Sequence, residues 1–143
     1  MVNEHVLMTQ KTFPISMTVD NAAAIEKGTV LVGSDPNTAA ANAHDAEEEL
    51  VCGVSYTEKI ANDGNTQIAV LSGPGDELRG IASGSILYGD PLVTAKAATA
   101  NYLASISGSR GISGSRVIGY SKERAEAGNT FKYVLNIESS TFA

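Results

Sequence analysis

The chain has 143 residues, of which 43% are hydrophobic and 18% are charged, and its formal net charge is −6 at pH 7. This length suits one domain with a hydrophobic core of its own. The acidic balance argues against nucleic acid and anionic membranes as partners, because both attract clusters of Lys and Arg. Neither a membrane-spanning apolar run nor a signal peptide is recognised in the sequence, so we expect a soluble protein made in the cytoplasm.

The residues that could carry chemistry are few. Cys52 is the single cysteine and lies in an apolar run, which predicts a small buried side chain and excludes an intrachain disulfide. His5 lies near the N-terminus, and His44 stands beside acidic residues that lack the ligand spacing of a calcium loop. We therefore expect a protein that is not an enzyme and that uses no metal or other cofactor.

Hydrophobic periodicity and turn residues predict the elements in chain order. Residues 1–12 show no sustained period and are predicted to form a flexible N-terminal arm, followed by a single β domain over residues 13–143. Alternating apolar residues predict a strand over residues 13–20, and Gly28 and Gly33 bracket the next one. Residues 38–49 fit either a short Ala-rich helix or a mobile loop, because they lack an apolar stripe.

Short strands dominate the rest of the sequence. Residues 50–56 and 67–71 are predicted to pair, as are residues 116–120 and 131–137, and a Gly- and Ser-rich surface loop precedes the last pair. Three further strands are predicted at residues 78–82, 91–94 and 102–106. The fold class is therefore mainly β, a small β-sandwich or β-barrel with at most one or two short helices.

Two stretches of the chain resemble each other in order and spacing. Gly28 and Gly89 each open a short apolar run and are 61 residues apart. The Gly-Asn-Thr turns that begin at Gly64 and Gly128 are 64 residues apart. Similar offsets in the same order predict one duplicated unit, with two sheets that pack their apolar faces together. The alternative is a set of unrelated strands punctuated by glycine, which are common in β proteins.

The succession of these segments carries a resemblance to a known family. The segments are Gly28-Thr29-Val30-Leu31-Val32, Gly53-Val54, Ile81-Ala82-Ser83-Gly84-Ser85-Ile86, Gly89-Asp90-Pro91-Leu92-Val93, Ile118-Gly119-Tyr120-Ser121 and Val134-Leu135-Asn136-Ile137. Over residues 13–137 the chain resembles the capsid decoration proteins of tailed bacteriophages, also called cement proteins. No catalytic motif accompanies the pattern.

The resemblance implies a structural virion protein that binds the outer surface of an assembled icosahedral capsid and stabilises it. The implied partners are the major capsid protein and two further copies in a homotrimer, and the implied location is the capsid exterior after assembly in the host cytoplasm. An N-terminal arm would contact the capsid through its apolar residues Val2, Val6, Leu7 and Met8, together with Phe13 at the start of the β domain. The alternative is a phage or cell-surface module that binds a carbohydrate or a receptor through an exposed cleft.

Overall fold

The computed structural model describes residues 4–34, 37–41, 50–95, 101–106 and 116–137. In these ranges the chain forms eleven β-strands and no helix. The strands are β1 Val6–Thr9, β2 Ile15–Thr18, β3 Val30–Ser34, β4 Thr38–Ala41, β5 Val51–Ser55, β6 Gln67–Leu71, β7 Glu77–Ala82, β8 Pro91–Thr94, β9 Tyr102–Ser105, β10 Gly119–Ser121 and β11 Thr130–Leu135.

The strands form two rings with the same order of pairing. In the first unit, strands β2 to β6, the order β2-β4-β3-β5-β6 closes into a barrel. In the second unit, strands β7 to β11, the order β7-β11-β10-β8-β9 returns to β7. Each ring has one parallel contact, β2 with β4 and β7 with β9, and the other contacts are antiparallel. The predicted mainly β fold is confirmed.

The register of the pairings also repeats from one unit to the other. Four pairs of the first unit each have an equivalent pair in the second unit. Leu31 with Gly53 corresponds to Leu92 with Gly119, Val54 with Leu71 to Tyr120 with Val134, Ile15 with Val70 to Leu78 with Tyr133, and Ile25 with Lys59 to Ile86 with Ala125. The equivalent positions are 61 to 66 residues apart, close to the offsets of 61 and 64 between the glycines. The structure therefore supports a duplicated unit, and it extends the repeat to β2 and β7, which the sequence did not include.

Close approach of two strands explains why glycine recurs at one place in each unit. A Cβ atom on Gly53 would meet the carbonyl oxygen of Leu71, and one on Gly119 would meet that of Val134. Gly53 also has a φ of 154°, which disfavours other residues. The same backbone approach thus requires the same residue twice.

The two units share a core across their contact. The larger cluster of buried residues contains Val30, Val54 and Leu71 of the first unit together with Leu78 and Phe131 of the second. A smaller cluster fills the interior of the first barrel, with Met17, Val19, Ile25, Leu31, Ala39, Ile68 and Val70 as its members. Each of the two predicted sheets closes into a ring through its parallel strand contact, and the larger cluster lies between the two rings.

Two local predictions differ from the structure. Thr38–Ala41, expected to begin a helix or a loop, is strand β4, because its backbone pairs with β3. The rest of that segment, residues 42–49, lies outside the described residues, as does most of the predicted Gly- and Ser-rich loop. Cys52, expected to be buried, is only partly buried and packs against the smaller cluster.

Candidate interaction surface

The N-terminal segment is paired to the second unit. Strand β1 runs antiparallel to β7, with Val6 opposite Arg79 and Leu7 opposite Leu78. Residues 6–9 of the arm that was predicted to be flexible therefore form a strand, because the edge of β7 supplies main-chain partners. This pairing fixes the direction of each side chain along the segment.

Alternate residues of β1 face opposite sides. Leu7 packs against the larger core, whereas Val6 and Met8 leave 48% and 49% of their surface exposed. Phe13, between β1 and β2, is 93% exposed. Three of the five predicted contact residues thus reach the surface and Leu7 points inward. Val2 lies outside the described residues.

His5 anchors the start of this segment between the two units. Its N–H donates to the carbonyl oxygen of Gly28 in the first unit, at 2.9 Å. Its ring is buried and lies 2.7 Å from both the Tyr133 hydroxyl, at Nδ1, and the Asn101 carbonyl oxygen, at Nε2. Since a carbonyl only accepts, Nε2 carries the proton and the Tyr133 hydroxyl donates to Nδ1. Asn101 in turn accepts from the N–H of Val30 through Oδ1, at 2.9 Å.

Burial sets the protonation of this network. It lowers the pKa of His5 to about 4, because the charged imidazolium would lose its hydration, although the bond to the Asn101 carbonyl partly offsets this. Burial also raises the pKa of Tyr133. The ring of His5 is therefore neutral at pH 7, in agreement with its hydrogen bonds. No pattern in the sequence indicated this role, because one isolated histidine near a terminus predicts nothing about a partner 128 residues away.

A buried carboxylate holds the segment where it crosses from the second unit to the first. Asp76 accepts the N–H of Lys11 at 2.5 Å, the N–H of Thr12 at 2.9 Å and the Thr12 hydroxyl at 2.6 Å. Its own carbonyl oxygen accepts from Leu135 at 2.8 Å. The exposed ring of Phe13 thus follows directly on a residue whose backbone is fixed to the body of the protein.

A cleft of about 440 Å³ lies beside β1. Its lining includes apolar groups at its base, among them Leu71 and Leu78, and Glu4, Lys27 and Tyr56 supply polar groups. Tyr56 Oη also lies 3.4 Å from the side chain of Gln10. The cleft therefore places the phenol ring of Tyr56 and one charge of each sign within reach of a small ligand.

Cys52 and His44 are the other residues that the sequence offered as candidates for chemistry. Burial raises the pKa of the Cys52 thiol to about 11, so little thiolate exists at pH 7. His44 and its acidic neighbours lie outside the described residues. Within the ranges that the structure describes, there is no group of three or more His, Cys, Asp or Glu side chains that could hold a metal ion. The same ranges contain no helix that is long and apolar enough to cross a membrane.

No protein-family model matches the chain, and no curated protein matches its sequence. Among solved structures, the chain is similar to the N base of head fiber gp8.5 in bacteriophage phi29, with 17% sequence identity and a TM-score of 0.49. The similarity covers 86% of this chain and 92% of that chain. The function of this chain is therefore inferred from its own geometry and sequence.

Proposed function

We propose that this chain is a structural virion protein that binds the outer surface of an assembled icosahedral capsid as a decoration or cement protein. The observation that supports it is a set of exposed apolar side chains, Val6, Met8 and Phe13, on a segment held to a rigid β body. A protein that binds a large surface gains affinity when its contact residues are ordered before binding, because less conformational entropy is then lost.

The surroundings of these side chains are consistent with a protein partner. Exposed apolar and aromatic groups are typical of the centre of a protein interface. The net charge of −6 disfavours a nucleic acid or an anionic membrane instead. The partner in this proposal is the major capsid protein. A homotrimer would present three such segments at once, and this increases avidity without any new contact.

Binding to empty heads of a tailed phage tests the proposal. We expect the triple variant Val6→Ser, Met8→Ser, Phe13→Ser to bind at least about tenfold more weakly than the wild type in co-sedimentation. Each substitution removes apolar area that would be buried against the capsid on binding. The control is the double variant Ile60→Ser, Tyr88→Ser. It removes two apolar side chains from other parts of the surface, where they are 61% and 68% exposed.

Normal binding by the triple variant, or an equal loss in the control, would contradict this assignment of the contact surface. Absence of binding by the wild type would contradict the function itself. Sedimentation of the free protein tests the homotrimer separately. Substitutions are preferable to removal of residues 1–12, because removal would also uncover β7 and delete His5.

The cleft beside β1 favours a second candidate, a phage or cell-surface module that binds a carbohydrate or a receptor. Tyr56 could stack on a sugar ring, while Glu4 and Lys27 could bond its hydroxyl groups. A glycan array tests this candidate. Specific binding that is lost in Tyr56→Ala, with capsid binding absent, would replace the first proposal by the second.

A further inference from the structure

The two units differ at one edge of their first strand. In the second unit, this edge of β7 is covered along its length, by β1 at Leu78 and Arg79 and by β9 at Ile81. In the first unit, β4 covers the equivalent edge of β2 only at Thr18. Among the described residues, no strand pairs with Ile15 on that side.

The main-chain groups of β2 that point away from β6 lie at this uncovered edge. Thr18 donates its N–H to the carbonyl oxygen of Asn37, on the β4 side. Because main-chain groups alternate along a strand, those of Ser16 and Pro14 face the same side. The carbonyl of Ser16 accepts only a long bond of 3.4 Å from Asn37 Nδ2, and its N–H meets no strand in the described ranges. Pro14 contributes a carbonyl but no N–H, as is usual at a sheet edge.

The side chains at this edge are apolar and exposed. Ile15 lies on the same face of its strand as the buried Met17, yet 47% of its surface is exposed. At the equivalent position of the second unit, Leu78 is completely buried, with Leu7 of β1 opposite it. Phe13 continues the same alternation outward and is 93% exposed. The apolar residues on this face of the strand are thus covered in the second unit, whereas in the first unit Phe13 and Ile15 remain exposed.

We infer that the edge of β2 at residues 14–16 binds an extended strand of another protein chain, antiparallel to β2, with an apolar side chain over Ile15. The second unit shows the type of occupant, since β1 occupies the equivalent edge there with Leu7 turned inward. The edge residues Pro14, Ile15 and Ser16 carry no charge, so an uncharged apolar strand fits them. β1 of another copy is not the occupant, because each copy uses β1 on its own β7.

Strand addition of this kind derives affinity from main-chain hydrogen bonds and specificity from alternate side chains. Within the described residues, the N–H of Ser16 and the carbonyl of Pro14 meet no strand, and the carbonyl of Ser16 accepts only the long bond from Asn37. These groups lie next to the apolar side chains of Phe13 and Ile15. The identity of the partner rests on the proposed function: in that setting the added strand is an extended segment of a capsid subunit. The existence of the edge site does not depend on that identity.

A peptide tests the edge without capsids. The probe is Glu-His-Val-Leu-Met-Thr-Gln, the sequence of residues 4–10, added at millimolar concentration to the full isotope-labelled chain. We expect shifts of the Ser16 amide and Ile15 methyl signals, and none at Arg79, whose edge is covered. The control peptide has Asp in place of Leu. Unchanged Ser16 and Ile15 signals, or equal shifts with both peptides, would overturn the inference.

Capsid binding then separates the edge from the proposed function. Ser16→Pro removes the one available N–H, and the matched Ser16→Ala keeps it. We expect the Pro variant to bind heads about tenfold more weakly, the Ala variant to bind normally, and both to keep the wild-type Tm. Wild-type binding that Ser16→Pro leaves unchanged contradicts the edge site alone, whereas a wild type that does not bind contradicts the proposed function alone. A β2-mediated dimer abolished by Ser16→Pro would assign the edge to a second copy instead.

Discussion

The two units have the same strand pairings but different surroundings. Each contains an asparagine in a left-handed conformation just before its third strand, Asn37 before β4 with a φ of 46° and Asn101 before β9 with a φ of 77°. Asn37 reaches the carbonyl of Ser16 at an exposed edge, whereas Asn101 is buried and accepts from Val30 of the other unit. The duplicated backbone therefore sets the conformation, and the neighbours determine what the side chain does.

The same contrast holds where the chain enters each unit. Asp76 precedes β7 and is buried under three hydrogen bonds from residues 11 and 12. The equivalent position before β2 is Phe13, which is 93% exposed. The second unit has thus been covered by the N-terminal segment, and the first unit has kept an open surface. The comparison teaches that the two units of a repeated fold can have different roles. Here one unit binds the N-terminal segment of the chain and the other presents an open surface.

The largest expected effect tests whether the two backbones are truly equivalent. Gly53→Ala and Gly119→Ala should each lower the free energy of unfolding by about 4 kcal/mol, because a Cβ would collide with a carbonyl oxygen of the neighbouring strand. Urea unfolding of both variants measures this. The controls are Gly64→Ala and Gly128→Ala, where φ is 82° and 86° and the Cβ meets no atom within 4 Å. They should lose about 1 kcal/mol, and a large loss in only one unit would contradict the equivalence.

The second expected effect concerns pH and the segment that covers only one unit. The pKa of His5 is lowered from 6.5 to about 4 in the folded chain, so the unfolded chain binds its proton at higher pH. Stability should therefore fall as the pH drops from 6.5 towards 4, by about 3 kcal/mol in total. Tyr133 does not ionise in this window, because burial raises its pKa.

Urea unfolding at a series of pH values measures this loss. In His5→Asn the stability should depend much less on pH between 6.5 and 4. His44→Asn is the control, since His44 stands beside acidic residues in a stretch that lacks an apolar stripe, and it should keep the wild-type dependence. A profile that is unchanged in His5→Asn would show that the buried ring does not govern the pH response.

A smaller effect is expected from the two equivalent residues that precede β7 and β2. Asp76→Ala removes the buried carboxylate that accepts from the N–H groups of Lys11 and Thr12 and should cost about 2 kcal/mol. Phe13→Ala, at the equivalent place, should change stability by no more than about 0.5 kcal/mol. Thermal unfolding compares the two. Equal losses would mean that Phe13 contributes to the fold and is not merely a surface residue.

The sequence predicted the strands because apolar alternation and turn residues are local signals. The pairs of residues 50–56 with 67–71 and 116–120 with 131–137 appear in the structure as β5 with β6 and β10 with β11. The glycine offsets pointed to the repeat, because Gly28, Gly64, Gly89 and Gly128 all have a positive φ, which glycine adopts readily. Val6, Met8 and Phe13 were candidate contact residues and are exposed.

Other features depend on distant partners and left no local signal. The pairing of β1 depends on an edge of β7 about 70 residues away, and the burial of His5 depends on Tyr133 and Asn101. Ile15 was part of the predicted alternation, but its exposure follows from a pairing like that of β1 with β7, which β2 does not have among the described residues. Such contacts are tertiary, so period and composition cannot reveal them.

The smallest expected effect tests a polar group that only the first unit has. Lys59 occupies the position equivalent to Ala125, and its buried Nζ donates to the carbonyl oxygens of Asn21 and Ile60, at 3.0 and 2.5 Å. It also bonds Asp63 at 2.8 Å, and this bond lowers the pKa of that carboxyl group.

Lys59→Met keeps the apolar stem of the side chain and removes these bonds. Hydrophobic replacement of a buried charge often has little net effect, because the desolvation cost disappears with the charge. Two carbonyl groups lose a donor here, so we expect a loss of about 1 kcal/mol in urea unfolding. Lys122→Met, at an exposed lysine of the second unit, should change stability by about 0.5 kcal/mol or less. A gain in stability in Lys59→Met would mean that the lysine opposes folding, and that the apolar residue of the second unit is the better choice at this position in both.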